Sequence, residues 1–254
     1  MSYSKIKEFI PIFNSMATTL VKKIKETKEE FIDINEELTL LTFDVIGKAG
    51  FGYDFGSLSG NKSEKLENIK KVLSSFFNFY SIIFKSYYDD LPLQKNKEMK
   101  EICEKVDKWI ESVIEERREE RKNTKEQKIS NKDLLDLILE AEYEENVKLS
   151  TKELQNNIFL FFFAGHGIYQ IFVFFFKLFF KDTSSSALTS LIYLLAINPE
   201  YITKASKEVE MELEGREPTF ENIQKLKLCN AIIKETLRLY PPAPNVTINR
   251  LFFI

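Results

Sequence analysis

Glycine, proline, cysteine and histidine are all scarce in this chain of 254 residues, and each scarcity excludes something. Eight Gly and seven Pro leave little punctuation for a many-stranded sheet, so the expected class is all-α with long helices. Two cysteines, Cys103 and Cys229, are too few and too far apart for a disulfide scaffold or a thiolate zinc site. One histidine, His166, cannot supplement them, which argues against a closed, protein-built transition-metal site. Charge of one sign is missing too: 36 basic residues are scattered among 39 acidic ones for a net charge of −3. Such a balance offers no electrostatic footprint for nucleic acid. The start, Met1 to Glu8, has no apolar run and no cleavage site, so no secretory signal or membrane anchor is expected there.

What is present is helical periodicity. Ile6, Phe9, Ile10, Phe13, Leu20, Val21 and Ile24 have helical spacing, and Asp33 with Glu36 reads as a capping box opening a second helix that turns Leu38, Leu41, Val45 and Ile46 inward. That helix runs into Gly47, Gly50, Gly52 and Gly56, half of the chain's glycines, a density that marks a turn or close packing. The glycines follow a helix rather than a strand, so a phosphate-cradling loop is not expected. Asp89-Asp90-Leu91-Pro92 breaks the chain, after which Met99, Ile102, Val106, Ile110, Val113 and Ile114 form an amphipathic stripe with Trp109 as a core residue beside it. The charged run Glu115 to Lys128 reads as a solvated helix end, and a short helix from Ser130 to about Tyr143 follows. Ser150 and Glu153 form another capping box, opening a long buried helix through Leu154, Ile158, Phe161, Phe162 and Gly165. Residues 158–180 hold ten of the 23 Phe and are long enough to cross a bilayer, although Lys177, His166 and Gln170 within them argue against it. Pro199 opens a further helix that Gly215 ends, and Pro218 to Asn222 leads into a helix over Leu226–Tyr240.

Three stretches resemble the cytochrome P-450 haem-thiolate monooxygenases. The most specific runs from Pro218 to Pro244, with Glu235 and Arg238 as a Glu-x-x-Arg pair ahead of Pro241, Pro242 and Pro244, like the family's K helix. A bare Glu-x-x-Arg is common on helices; the 27-residue setting makes it specific. Ala164-Gly165-His166 and the later Asp182-Thr183-Ser184 look like the oxygen-binding Ala-Gly-x-Asp-Thr of the family's I helix, but split. Leu38 to Phe55 is similar to the family's E-helix region. The resemblance implies a haem cofactor that Ala164 and Gly165 let the backbone approach. It makes Asp182 and Thr183 the acid and alcohol that supply protons during oxygen activation, and Glu235 with Arg238 a buried structural ion pair. It also implies a hydrophobic substrate, for which the aromatic segment Phe76 to Phe84 would help build a channel, a P-450 reductase as electron donor, and the endoplasmic reticulum membrane as location.

The family's axial thiolate lies in a Phe-x-x-Gly-x-Arg-x-Cys-x-Gly loop downstream of Glu-x-x-Arg, whereas the 16 residues after Arg238 hold no cysteine, and the family's Trp-x-x-x-Arg haem contact is missing upstream. Residues 1–254 are therefore expected to be one incomplete domain, inactive as written, with no protein metal ligand. Cys103 and Cys229 read as small apolar core residues, and His166 as at most a loose haem ligand. Gly167 to Lys181 are expected to be translated intron or an insertion. Leaving them out joins His166 to Asp182, whereas keeping them in a helix moves Asp182 and Thr183 by about 22 Å and turns them by about 60°. Two other readings stay open at the level of sequence: a membrane-associated or interaction protein of amphipathic helices anchored by residues 158–180, and a pseudogene or faulty gene product.

Overall fold

The structure, a computed structural model, describes residues 7–60, 64–75, 91–123, 133–144, 149–166 and 183–242, and among these every regular element is a helix. Asp182, the aromatic segment 76–84, the stretch 167–181 and Pro244 lie outside the described residues.

A turn of 3-10 helix, Lys7–Phe9, leads into α1, Ile10–Glu26, with Pro11 in its first turn where a missing N–H costs nothing. α2, Ile34–Phe51, begins as the Asp33 spacing predicts: Asp33 Oδ1 accepts from the N–H groups of Asn35 (3.0 Å) and Glu36 (3.2 Å). It ends at Gly52, whose φ of +64° a side chain would resist. Then come α3, Glu64–Ser75, and α4, Gln94–Asn123. α5, Leu134–Glu144, starts four residues later than the expected Ser130 and is capped by Asp133. α6, Thr151–His166, carries the expected capping box in full: Ser150 N–H donates to Glu153 Oε2 (2.7 Å) and Glu153 N–H donates to Ser150 Oγ (3.2 Å). α7, Thr183–Ile197, α8, Pro199–Leu213, the single turn α9, Phe220–Ile223, and α10, Lys227–Leu239, complete the series.

α2 is the hub, packing against α1, α5, α6 and α7. Its Phe43 and Phe51, with Phe55 from the following turn, meet Ile69 and Val72 of α3, Val106, Ile110 and Ile114 of α4, Leu135 and Leu139 of α5, and Leu154 and Ile158 of α6 in one buried cluster. Each such side chain withdraws enough apolar surface to contribute about 1.5–3 kcal/mol, against which chain entropy is set. Trp109 packs against this cluster, its ring 5.2 Å from Tyr53 and 5.8 Å from Phe55, as a core residue should. A smaller cluster of Leu20, Leu38 and Leu58 takes in Leu188 of α7. α7, α8 and α10 form a second group through mutual packing, and it leaves Ile192, Ile197, Tyr201, Ile202, Ile233 and Leu237 exposed. No described helix is long and apolar enough to cross a membrane.

Candidate functional site

Ala164 and Gly165 fall in the last described turn of α6, which is described as far as His166, and Thr183 is the first described residue of α7. The two helices touch, and both pack along α2. Hydroxyls fix α7 there: Thr39 Oγ1 donates to Ser185 Oγ (3.3 Å) and Thr189 Oγ1 donates to Asn35 Oδ1 (3.2 Å). Ser185 is fully buried, and its hydroxyl serves as an interhelical contact.

Glu235 and Arg238 pair as their spacing requires, one turn apart on α10, with Arg238 Nε donating to Glu235 Oε2 (2.8 Å) and Nη2 to Oε1 (2.6 Å). The guanidinium holds the Glu235 carboxyl below its ordinary value. The expected burial is not found: the two side chains are 54% and 66% exposed. The reason lies in their surroundings, since Leu237 and Leu239 on the same helix and Tyr240 just past it are exposed as well, and Thr236 is the one fully buried residue of α10. A pair so wetted contributes little to stability. α10 is held instead by a group the sequence reading passed over. Glu208 of α8 accepts from the backbone N–H groups of Leu228 (2.7 Å) and Cys229 (2.9 Å), supplying the cap that Leu226 lacks, and these bonds lower its pKa.

Two further polar centres went unread. Asp44 is buried in the middle of α2, and its two carboxylate oxygens accept from the N–H groups of Ser57 (3.0 Å) and Leu58 (2.9 Å). A lone acid between Phe43 and Val45 was the available clue, because a buried carboxylate needs partners. The charged run after Glu115 is not wholly solvated. Arg117 of α4 is only 18% exposed, bridging Asp133 and Asp136 at the start of α5, the latter at 2.8 Å, and reaching Phe51 O at the end of α2 (3.4 Å). Burial by itself would lower its pKa, but the two carboxylates outweigh that and raise it; Asp133 is pushed up by burial. Three of the chain's six arginines, 117, 118 and 121, crowd into this run of Glu and Lys, which was the hint.

Comparison with known proteins gives this helical assembly a family. The family model described as cytochrome P-450 matches residues 1–251. This chain belongs to the cytochrome P-450 family. It is 32% identical to the echinocystic acid 23-monooxygenase of Saponaria officinalis over 98% of its length, and 27% identical to cytochrome P-450 4V2 of Mus musculus over 95%. Each alignment covers 46% of the relative, so the chain spans about half the length of the curated P-450 proteins it matches. The crystal structure of the cytochrome P450DA heme domain superposes with a TM-score of 0.71 over 93% of this chain and 46% of that one, at 23% identity, which shows the P-450 fold. The all-α core expected from the scarcity of glycine and proline is therefore a P-450 core.

A P-450 haem needs a cysteine thiolate, and the residues present do not fit that need. Both cysteines of the chain are described, and both environments disfavour the thiolate. Burial, with Asp107 nearby, pushes the Cys103 thiol up, and burial together with Glu208 pushes Cys229 up to about 11. Among the described residues no three His, Cys, Asp or Glu side chains gather as a metal site.

Proposed function

We propose that the protein functions as part of a cytochrome P-450 monooxygenase that oxidises a hydrophobic small molecule at the endoplasmic reticulum membrane. In the overall reaction a C–H bond becomes C–OH with one atom of dioxygen. The other atom leaves as water, with two electrons from a reductase and two protons. The match of the family model over residues 1–251, joined to 32% identity with a relative named as a monooxygenase, carries this reading. The axial thiolate then has to come from outside these 254 residues, and the chain alone is not a working enzyme. Within the assembled protein, Asp182 and Thr183 are the acid and alcohol that pass protons inward. Ala164 and Gly165 keep that surface low. Glu235 and Arg238 serve structure: once a further part of the protein covers α10, loss of either partner leaves the other charge buried and unpaired.

The test is to co-express the full product of the gene with a P-450 reductase and supply echinocystic acid, a sterol and a fatty acid beside polar compounds of similar size. Reductant-dependent addition of one oxygen to an apolar compound is the expected result. Oxidation confined to the polar set, or none at all, rejects the proposal.

A further inference from the structure

We infer that α6 and α7 are the two halves of one helix, and that residues 167–181 are an unspliced 45-nucleotide insert between them. Two antiparallel helices rise equally per residue, so the numbers of residues that face each other add to a constant. For α2 and α7 both hydrogen bonds give the same constant: Thr39 with Ser185 and Asn35 with Thr189 each add to 224. If α6 were the earlier part of the same helix with every residue counted, Ile158 would lie level with position 66, beyond the last residue of α2. Yet α6 packs on α2, and Leu154 and Ile158 share a buried cluster with Phe43, Phe51 and Phe55. Withdrawing 15 residues brings Ile158 level with Phe51, the last residue of α2 and a member of that cluster.

Composition and codons agree on the same 15 residues. Gly167 to Lys181 contain six Phe, two Lys and no acid, in a chain where acids are the larger charged group. Phe and Lys can be written in T and A alone, as TTT and AAA, the content of AT-rich noncoding sequence. Glycine and aspartate codons both begin with G. A coding segment ending in a single G therefore reads Gly167 if the intron's opening GT follows, and Asp182 if the intron is removed. Lys181 as AAA then leaves the closing AG in place across the next codon boundary.

The inference rests on packing and coding, apart from the proposed function. Its consequence for the site rests on that reading: without the insert, Ala164-Gly165 and Asp182-Thr183 occupy consecutive turns of one helix.

Amplifying the transcript across the junction should yield a species 45 nucleotides shorter, in which the codon of His166 is followed by that of Asp182. Finding only the longer species overturns the inference. At the protein level, the 254-residue chain and a variant lacking 167–181 would carry spin labels at the exposed positions Asn156→Cys and Tyr193→Cys, in a Cys103→Ser, Cys229→Ser background. The shortened variant should fold and give one narrow distance of about 33 Å, the length of a continuous helix between those sites. It should also melt above a variant lacking only 169–181, whose two surplus residues turn α7 by about 200° away from α2. Failure of the 15-residue deletion to fold, a broad or different distance, or equal melting of the two deletions overturns the inference. None of these readouts involves activity, so the proposed function can fail while the inference stands, and the reverse.

Discussion

Replacing Gly47 and Gly50 by alanine should shift stability in opposite directions, although the two residues lie on the same helix three positions apart. In a helix interior the exchange is favourable by about 0.5–1 kcal/mol through lost freedom in the unfolded chain. At Gly50 a Cβ meets nothing within 4 Å, so the gain should appear in full. At Gly47 the added Cβ would sit 2.6 and 2.7 Å from two ring carbons of Phe55 and 2.7 Å from the carbonyl oxygen of Tyr53. Neither neighbour can retreat easily. Phe55 is 1% exposed with its ring centre 4.8 Å from Phe43 and 4.7 Å from Tyr53, and Tyr53 N–H is itself bonded to Gly47 O at 3.0 Å. Overpacking of this kind costs about 1–3 kcal/mol, so Gly47→Ala should be net destabilising by about 1–2 kcal/mol. At about 2–4 °C per kcal/mol for a chain of this size, the two variants should melt about 3–12 °C apart. Far-ultraviolet circular dichroism melts of the two variants and the parent measure it. Gly47→Ala melting at or above the parent, or Gly50→Ala melting below it, would refute the reasoning.

Arg117→Ala should cost about 3–5 kcal/mol in urea unfolding, because it leaves Asp133, 8% exposed, without its cation and Asp136, 3% exposed, with Arg121 alone at 3.7 Å; a loss under about 1 kcal/mol would show that water already screens the site. Glu208→Gln should destabilise by weakening the cap on α10. Since the folded pKa of Glu208 lies below 4.5, the stabilisation is present above that pH and is lost as pH falls through the lowered value. The gap between variant and parent should therefore hold near neutral pH and close in acid, and a gap that widens in acid contradicts the assignment. Purified chain mixed with haem, reduced and exposed to carbon monoxide, should lack the thiolate-type absorption band. A band that vanishes in Cys103→Ser or Cys229→Ser would overturn the reading of those two thiols.

The helix ends were legible because capping chemistry is local: Asp33, Ser150, Pro199 and Gly215 act within a few residues of themselves, and each sits where its spacing puts it. Core positions on α4 were legible for the same reason, since Val106, Ile110 and Ile114 repeat with the helix. What stayed hidden was polar contact between elements far apart in sequence. Arg117 looks like any residue of a charged run until α5 brings two carboxylates to it, and Glu208 looks like surface until the start of α10 arrives. The pairing of Glu235 with Arg238 is local and was read; its wetness depends on what packs over α10 and was not.

Asp44 also bears on the order in which the molecule assembles. Its bonds to Ser57 and Leu58 span 13 and 14 residues, while those joining α2 to α7 span 146 and 154. Loop-closure entropy grows with the logarithm of length, and a loop of about ten residues closes in about 10–100 ns. Because chains emerge at about 5–20 residues per second, α2 and the turn behind it can close on Asp44 while the residues of α7 have yet to be joined to the chain. The hub against which α6 and α7 later align is thus a seed laid down early in synthesis, and substitutions at Asp44 should slow folding more than they speed unfolding.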